Sequence, residues 1–99
     1  MLEKLINEII NATSFVPGLN GLADVDFAST PKSLEEAEWS KSVSLVDTNQ
    51  GTNVTIAIFV SPDVRTKIIV SELTSAIKDV FKKNKTKLNT VLVNVRGIK

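Results

Sequence analysis

The sequence predicts an α+β fold: a two-layer sandwich in the order α-β-β-β-α-β, with a mostly antiparallel four-stranded sheet and two helices on one face. Three observations carry this. Val54, Ile56, Ile58 and Val60 alternate with Thr55, Ala57 and Phe59, so an extended segment has one continuous aliphatic, β-branched face. Two further stretches repeat apolar residues at helical spacing. Turn-forming residues separate these segments, at Pro17-Gly18, over residues 47–52 and over residues 84–87. Residues 1–99 form a single domain, long enough for one modest core and too short for two.

Taken in order, Leu2, Leu5, Ile6, Ile9, Ile10 and Thr13 line one face of a helix, with Glu3, Lys4, Asn7, Glu8 and Asn11 on the other. This helix should end near Ser14, because Pro17 restricts Val16 to extended conformations and Gly18 and Gly21 favour a turn. Leu19, Leu22, Val25 and Phe27 then suggest a short strand. Residues 28–38 read as a polar surface loop, with a Ser33-x-x-Glu36 arrangement like a capping box followed by one possible helical turn. Trp39, Lys41, Val43 and Leu45 alternate with Ser40, Ser42, Ser44 and Val46, which predicts a strand with a polar outer face. The turn formers over residues 47–52 join it to the aliphatic strand, residues 53–60, as an antiparallel hairpin.

Ser61-Pro62-Asp63 reads as a helix start: Ser61 as cap, Pro62 in the first turn and Asp63 at the positive end of the dipole. Val64, Ile68, Ile69, Leu73, Ala76, Ile77, Val80 and Phe81 form its apolar stripe. Val91, Val93 and Val95, alternating with Leu92, Asn94 and Arg96, give a last strand. After a helix of about 30 Å, that strand can return parallel beside the aliphatic strand or at an edge.

Composition narrows the chemistry. With 42% hydrophobic and 23% charged residues, the chain has the make-up of a globular protein. Twelve Lys plus Arg against eleven Asp plus Glu leave a net charge of +1, without the broad basic field of a dedicated nucleic-acid binder. There is no cysteine and no histidine, which excludes disulfides, thiolate catalysis, the usual zinc ligand sets and histidine acid–base chemistry. Five aromatics without a tyrosine argue against a base-stacking platform. The start lacks a signal-peptide pattern and no apolar run approaches a membrane span, so the expected setting is cytoplasmic, with any membrane contact made indirectly through a partner. No cofactor is implied.

Two surfaces could carry a function. If the aliphatic face of the central strand lies under the helices, Ala57 and Phe59 point the other way, as does Leu92 of the last strand. That face, with no helix left to cover it, is the candidate surface for a protein partner or for self-association. The alternative is a small RNA-binding module. The Gly18-Leu19-Asn20-Gly21 sequence fits a G-x-x-G backbone clamp, and Lys78, Lys82, Lys83, Lys85 and Lys87 form a basic cluster able to meet phosphates. Against it, the loop has no Lys or Arg, a helix end is punctuated in the same way, and cations suit a helix C-terminus. The carboxylates Glu35, Glu36 and Glu38, and Asp24 and Asp26, have no convergent third group and read as solvated surface.

Most of the chain resembles the alkaline shock protein family of Gram-positive bacteria. The resemblance rests on the first helix running into Phe15-Val16-Pro17-Gly18-Leu19-Asn20-Gly21-Leu22, the alternating residues 53–60, a helix from Pro62 with Val64 and Ile68, and the closing Val91-Leu92-Val93-Asn94-Val95-Arg96-Gly97. Residues 28–38 depart from it, being longer and more acidic than the usual connection. The resemblance implies a cytoplasmic, non-enzymatic protein linked to cell-envelope stress or homeostasis, some relatives being held at the membrane by a separate anchor protein.

Overall fold

The structure is a computed structural model that describes residues 2–26 and 34–98. Its elements are α1 (Leu2–Thr13), β1 (Leu19–Leu22), a 3-10 helix (Glu36–Ser42), β2 (Val43–Thr48), β3 (Gly51–Val60), α2 (Thr66–Lys83) and β4 (Leu88–Ile98). The central strand is β3. One edge of it pairs antiparallel with β2 over residues 51–56 and with β1 over residues 58–60, the two lying end to end. The other edge pairs with β4 in parallel, the geometry a helical crossover permits and a tight hairpin does not. Two of the three pairings are thus antiparallel, and α1 and α2 lie side by side on one face.

The core is where the periodic patterns meet. Val54, Ile56, Ile58 and Val60 of β3 are buried against Ile69, Leu73, Ile77 and Phe81 of α2 and Leu5, Ile9 and Ile10 of α1. Both helices are held to the sheet by burial of these stripes, because isolated helices of this length are marginal in water. At the end of α1, the Thr13 hydroxyl donates to the Ile10 carbonyl at 2.6 Å, which satisfies a buried polar group where the helix runs out.

Four local readings are corrected. First, α2 begins at Thr66, not at Pro62. The Ser61 hydroxyl accepts the Asp63 N–H at 3.2 Å in a local turn, and the Ser61 N–H donates to the Gly18 carbonyl at 2.7 Å. These bonds hold residues 61–65 as a tight connection that brings Val64 onto the core, so Ser61 caps no helix.

Second, Trp39 and Lys41 lie in the 3-10 helix and not in a strand, which starts only at Val43. Local side-chain bonds compete with extension: the Ser42 hydroxyl donates to the Trp39 carbonyl at 2.6 Å, and the Trp39 indole N–H reaches the Leu34 carbonyl at 3.1 Å. Glu35 stands at the helix start without a side-chain cap, and Ser33 of the expected capping box lies outside the described residues.

Third, the first strand stops at Leu22. The Asp26 N–H donates to Asp24 Oδ1 at 2.8 Å, turning the chain where continued extension was expected. Phe27 lies outside the described residues.

Fourth, Ala57 and Phe59 are not surface residues. They are 0% and 3% exposed, in a second small cluster with Ala23 and Val25 on the face opposite the helices. The Ala23 N–H donates to the Ala57 carbonyl at 3.0 Å, one further rung along the β3 edge, and the Val25 N–H to the Lys41 carbonyl at 2.9 Å, which holds Ala23 and Val25 against this cluster. The Phe59 ring lies across Gly97 of β4, 3.0 Å from where a Cβ there would stand.

Candidate interaction surface

With residues 23–25 covering one end of the rear sheet face, the open part shifts to the other end. The β2–β3–β4 register sets Ser44, Thr55 and Leu92 in one cross-strand row, and Val46, Asn53 and Thr90 in the next. Asn53 Oδ1 accepts from Asn89 Nδ2 and from the Thr90 hydroxyl, both at 2.8 Å, so its own polar group is satisfied within the sheet. Val46 and Leu92 are each 56% exposed. They lie on opposite neighbours of β3, two strand spacings across and one row along, roughly 12 Å apart. The strip between them is threonine, serine and asparagine, flat and of low charge. Of the expected interface set, Leu92 is therefore exposed, while Ala57 and Phe59 support the strip from within. Val46 falls on the polar side of the strand in the sequence pattern, where its one signal is that it interrupts the Ser-x-Ser alternation of Ser40, Ser42 and Ser44.

The helical face has a different feature. A shallow groove of about 450 Å³ runs between α1 and α2, lined by Ala12 and Ala76 among others, with Phe15 84% exposed at its rim. Glu8 crosses its end, accepting from Asn84 Nδ2 and lying 3.9 Å from Lys83. The groove has charged groups at its borders and no convergent reactive set.

The parts of the RNA-binding alternative fall apart in space. Gly18 packs at the N-terminal end of α2, where an added Cβ would stand 2.7 Å from Val64, and Gly21 lies within β1 opposite Phe59. Neither presents an open backbone loop. Lys78, Lys82, Lys83, Lys85 and Lys87 are exposed and cluster toward the far end of α2. An 18-residue helix of about 27 Å separates the two. The carboxylates likewise do not converge: Glu38 pairs with Lys41 at 2.9 Å, which holds the Lys41 ammonium pKa above its ordinary range. Among the described residues, no three His, Cys, Asp or Glu side chains are grouped to hold a metal, and no helix is long and apolar enough to cross a membrane.

No family model and no curated protein matches the chain. Solved structures do, along nearly the whole length. A single-substitution variant of MamM-CTD aligns with a TM-score of 0.55 at 17% identity, over 98% of this chain and 98% of that one. The copper form of another variant gives the same values. A nickel form gives 0.53 at 18% identity, over 96% of each chain. The chain shares the fold of MamM-CTD. At this identity the likeness is one of architecture, and the copper and nickel are those of the compared variants. The fold itself is the expected α+β sandwich.

Proposed function

We propose that this chain is a non-catalytic protein-interaction domain that works through the open half of its sheet. The observation that carries the reading is the pair Val46 and Leu92, each more than half exposed on a helix-free face, with small polar residues between them. Apolar anchors in a neutral, flat setting suit protein contact better than contact with a phosphate backbone. A sequence without histidine, cysteine or tyrosine supports the non-enzymatic reading.

For the setting, we propose a cytoplasmic role in cell-envelope stress or homeostasis, of the alkaline shock protein type, with any membrane contact made through the partner. The resemblance supports this: it rests on the turn at Pro17-Gly18, the alternating residues 53–60 and the closing strand to Gly97.

Affinity capture from native lysate, read by mass spectrometry, tests the function. The wild-type chain should retain a specific protein across several salt concentrations, and Val46→Ser with Leu92→Ser should lose it. Both positions are exposed, so the stability of the double variant should change by no more than about 1 kcal/mol. An identical set of retained proteins for wild type and double variant would overturn the assignment of the surface.

A further inference from the structure

We propose that the free edge of β4 accepts an extended acidic segment of a partner protein as an added strand, its carboxylates meeting Lys67 and Lys78 of α2. This rests on the interaction-domain reading and names the partner's chemistry and its mode of binding.

The edge itself comes first. At 11 residues, β4 is the longest strand, and among the described residues it pairs with β3 alone. From Thr90 to Val95 it runs in unbroken register with Asn53 to Ile58. Exposed edges are ordinarily blunted by lysine, proline or a bulge, and over this stretch β4 has none.

The direction of its free backbone groups follows from the ladder. The two-residue hairpin closes on the Thr48–Gly51 pair, so alternate residues of β3, Gly51, Asn53 and Thr55, bond to β2. Thr52, Val54 and Ile56 therefore turn their N–H and C=O groups to β4, and the Thr52 N–H indeed donates to the Lys87 carbonyl at 2.9 Å. With Val54 opposite Val91 and Ile56 opposite Val93, the β4 residues engaged by β3 are Leu92 and Asn94. The N–H and C=O groups of Val91, Val93 and Val95 face outward.

The charge on α2 is sorted by side. Its buried stripe, Ile69, Leu73, Ile77 and Phe81, faces the sheet. The side toward α1 is marked by Ala76 and Asp79 in the groove and by Lys83 near Glu8. At about 100° per residue, Glu72, Asp79 and Lys83 fall within roughly 40° of one another on that side. Lys67 and Lys78 fall on the opposite side, within about 20° of each other, with Lys82 above them. Because α2 packs on β4 whereas α1 packs on β2 and the 3-10 helix, this second side overhangs the free edge of β4. Lys85 and Lys87, both exposed, extend the basic row at the start of the strand, and residues 84–98 include no carboxylate.

An added strand would thus find main-chain partners at Val91, Val93 and Val95, positive charge on its helix side and Leu92 on its rear side. The matching segment alternates acidic residues, facing α2, with apolar residues, facing Leu92. A second copy of this chain fits poorly. Antiparallel β4–β4 pairing would set the two α2 helices side by side with their lysine rows opposed. The outward amides of a regular strand favour a peptide over an RNA backbone, since they supply a ladder only a peptide can complete.

The test uses the full chain and a fluorescein-labelled peptide of alternating Val and Glu, followed by fluorescence anisotropy. The peptide should bind at low salt and weaken as salt rises, and its Val–Lys counterpart should not bind. Lys67→Glu with Lys78→Glu should weaken binding about tenfold or more, as the loss of close charge pairs does. Val93→Pro removes one outward N–H at a position where an edge strand tolerates proline, and should weaken it similarly. In the wild-type chain, peptide should slow amide hydrogen exchange at Val91, Val93 and Val95, a readout that holds even if Val93→Pro proves unfolded. Absence of binding at low salt, unchanged binding to the double lysine variant, or protection elsewhere would overturn the proposal. So would tighter binding of a single-stranded RNA oligonucleotide at the same lysines. A native partner still retained through Val46 and Leu92 while the peptide fails would leave the interaction-domain reading standing and remove only the edge.

Discussion

Replacing Phe59 by serine should cost the domain about 3–5 kcal/mol of stability, the loss typical of a buried aromatic, and should free no docking surface. Phe59 is 3% exposed, shares its cluster with Ala23, Val25 and Ala57, and lays its ring across Gly97. Truncation removes those contacts, opens a cavity within that cluster, and puts a hydroxyl where no water reaches it. Urea unfolding should show the midpoint falling at an unchanged or slightly lower slope, and the thermal midpoint should drop by more than about 10 °C. A stable Phe59→Ser variant that lost only its partner would mean that residues 23–25 do not cover this face in solution.

The second large effect is at the turn joining α1 to β1. Gly18 has φ +87°, and a Cβ built on it would stand 2.7 Å from Val64 Cβ and 2.9 Å from Ile69 Cδ1. Gly18→Ala therefore combines left-handed backbone strain of about 1–2 kcal/mol with overpacking of about 1–3 kcal/mol. The two contributions can be separated. In a Val64→Ala background the steric part should shrink and the backbone part should persist, so a double-mutant cycle by urea denaturation should give a coupling of about 1 kcal/mol or more. Strict additivity would show that Gly18 and Val64 are not in contact.

These two positions also show what could be read from the sequence and what could not. The aliphatic alternation of β3, the stripe of α1 and the buried face of α2 were legible because each is a periodic pattern that only one packing satisfies. The start of α2 was not. Ser61, Pro62 and Asp63 suit a helix N-terminus and a tight turn equally well, and the bond from Ser61 to the distant Gly18 carbonyl decided between them. The Trp39 to Ser42 stretch alternates like a strand, yet the Ser42 hydroxyl bonds back to the i−3 carbonyl, a local bond that competes with extension.

For the surface, alternation told that Ala57, Phe59 and Leu92 share a side. It did not tell that Ala23 and Val25, just after β1, would pack against the first two, because a segment that short has no period to detect. The lysine cluster was visible as composition, whereas its sorting to the β4 side of α2 required knowing where α1 packs. Of the glycines in the suspected RNA-binding loop, Gly18 owes its identity to a close contact with Val64.

Amide hydrogen exchange on the chain purified with its captured partner tests the central claim most directly. Slowed exchange on β2 and β4 around Val46 and Leu92, with the groove between α1 and α2 unchanged, is the result predicted for a domain that works through the open half of its sheet. Protection confined to the groove beside Phe15 and Ala76, with β4 exchanging as in the free chain, would contradict it.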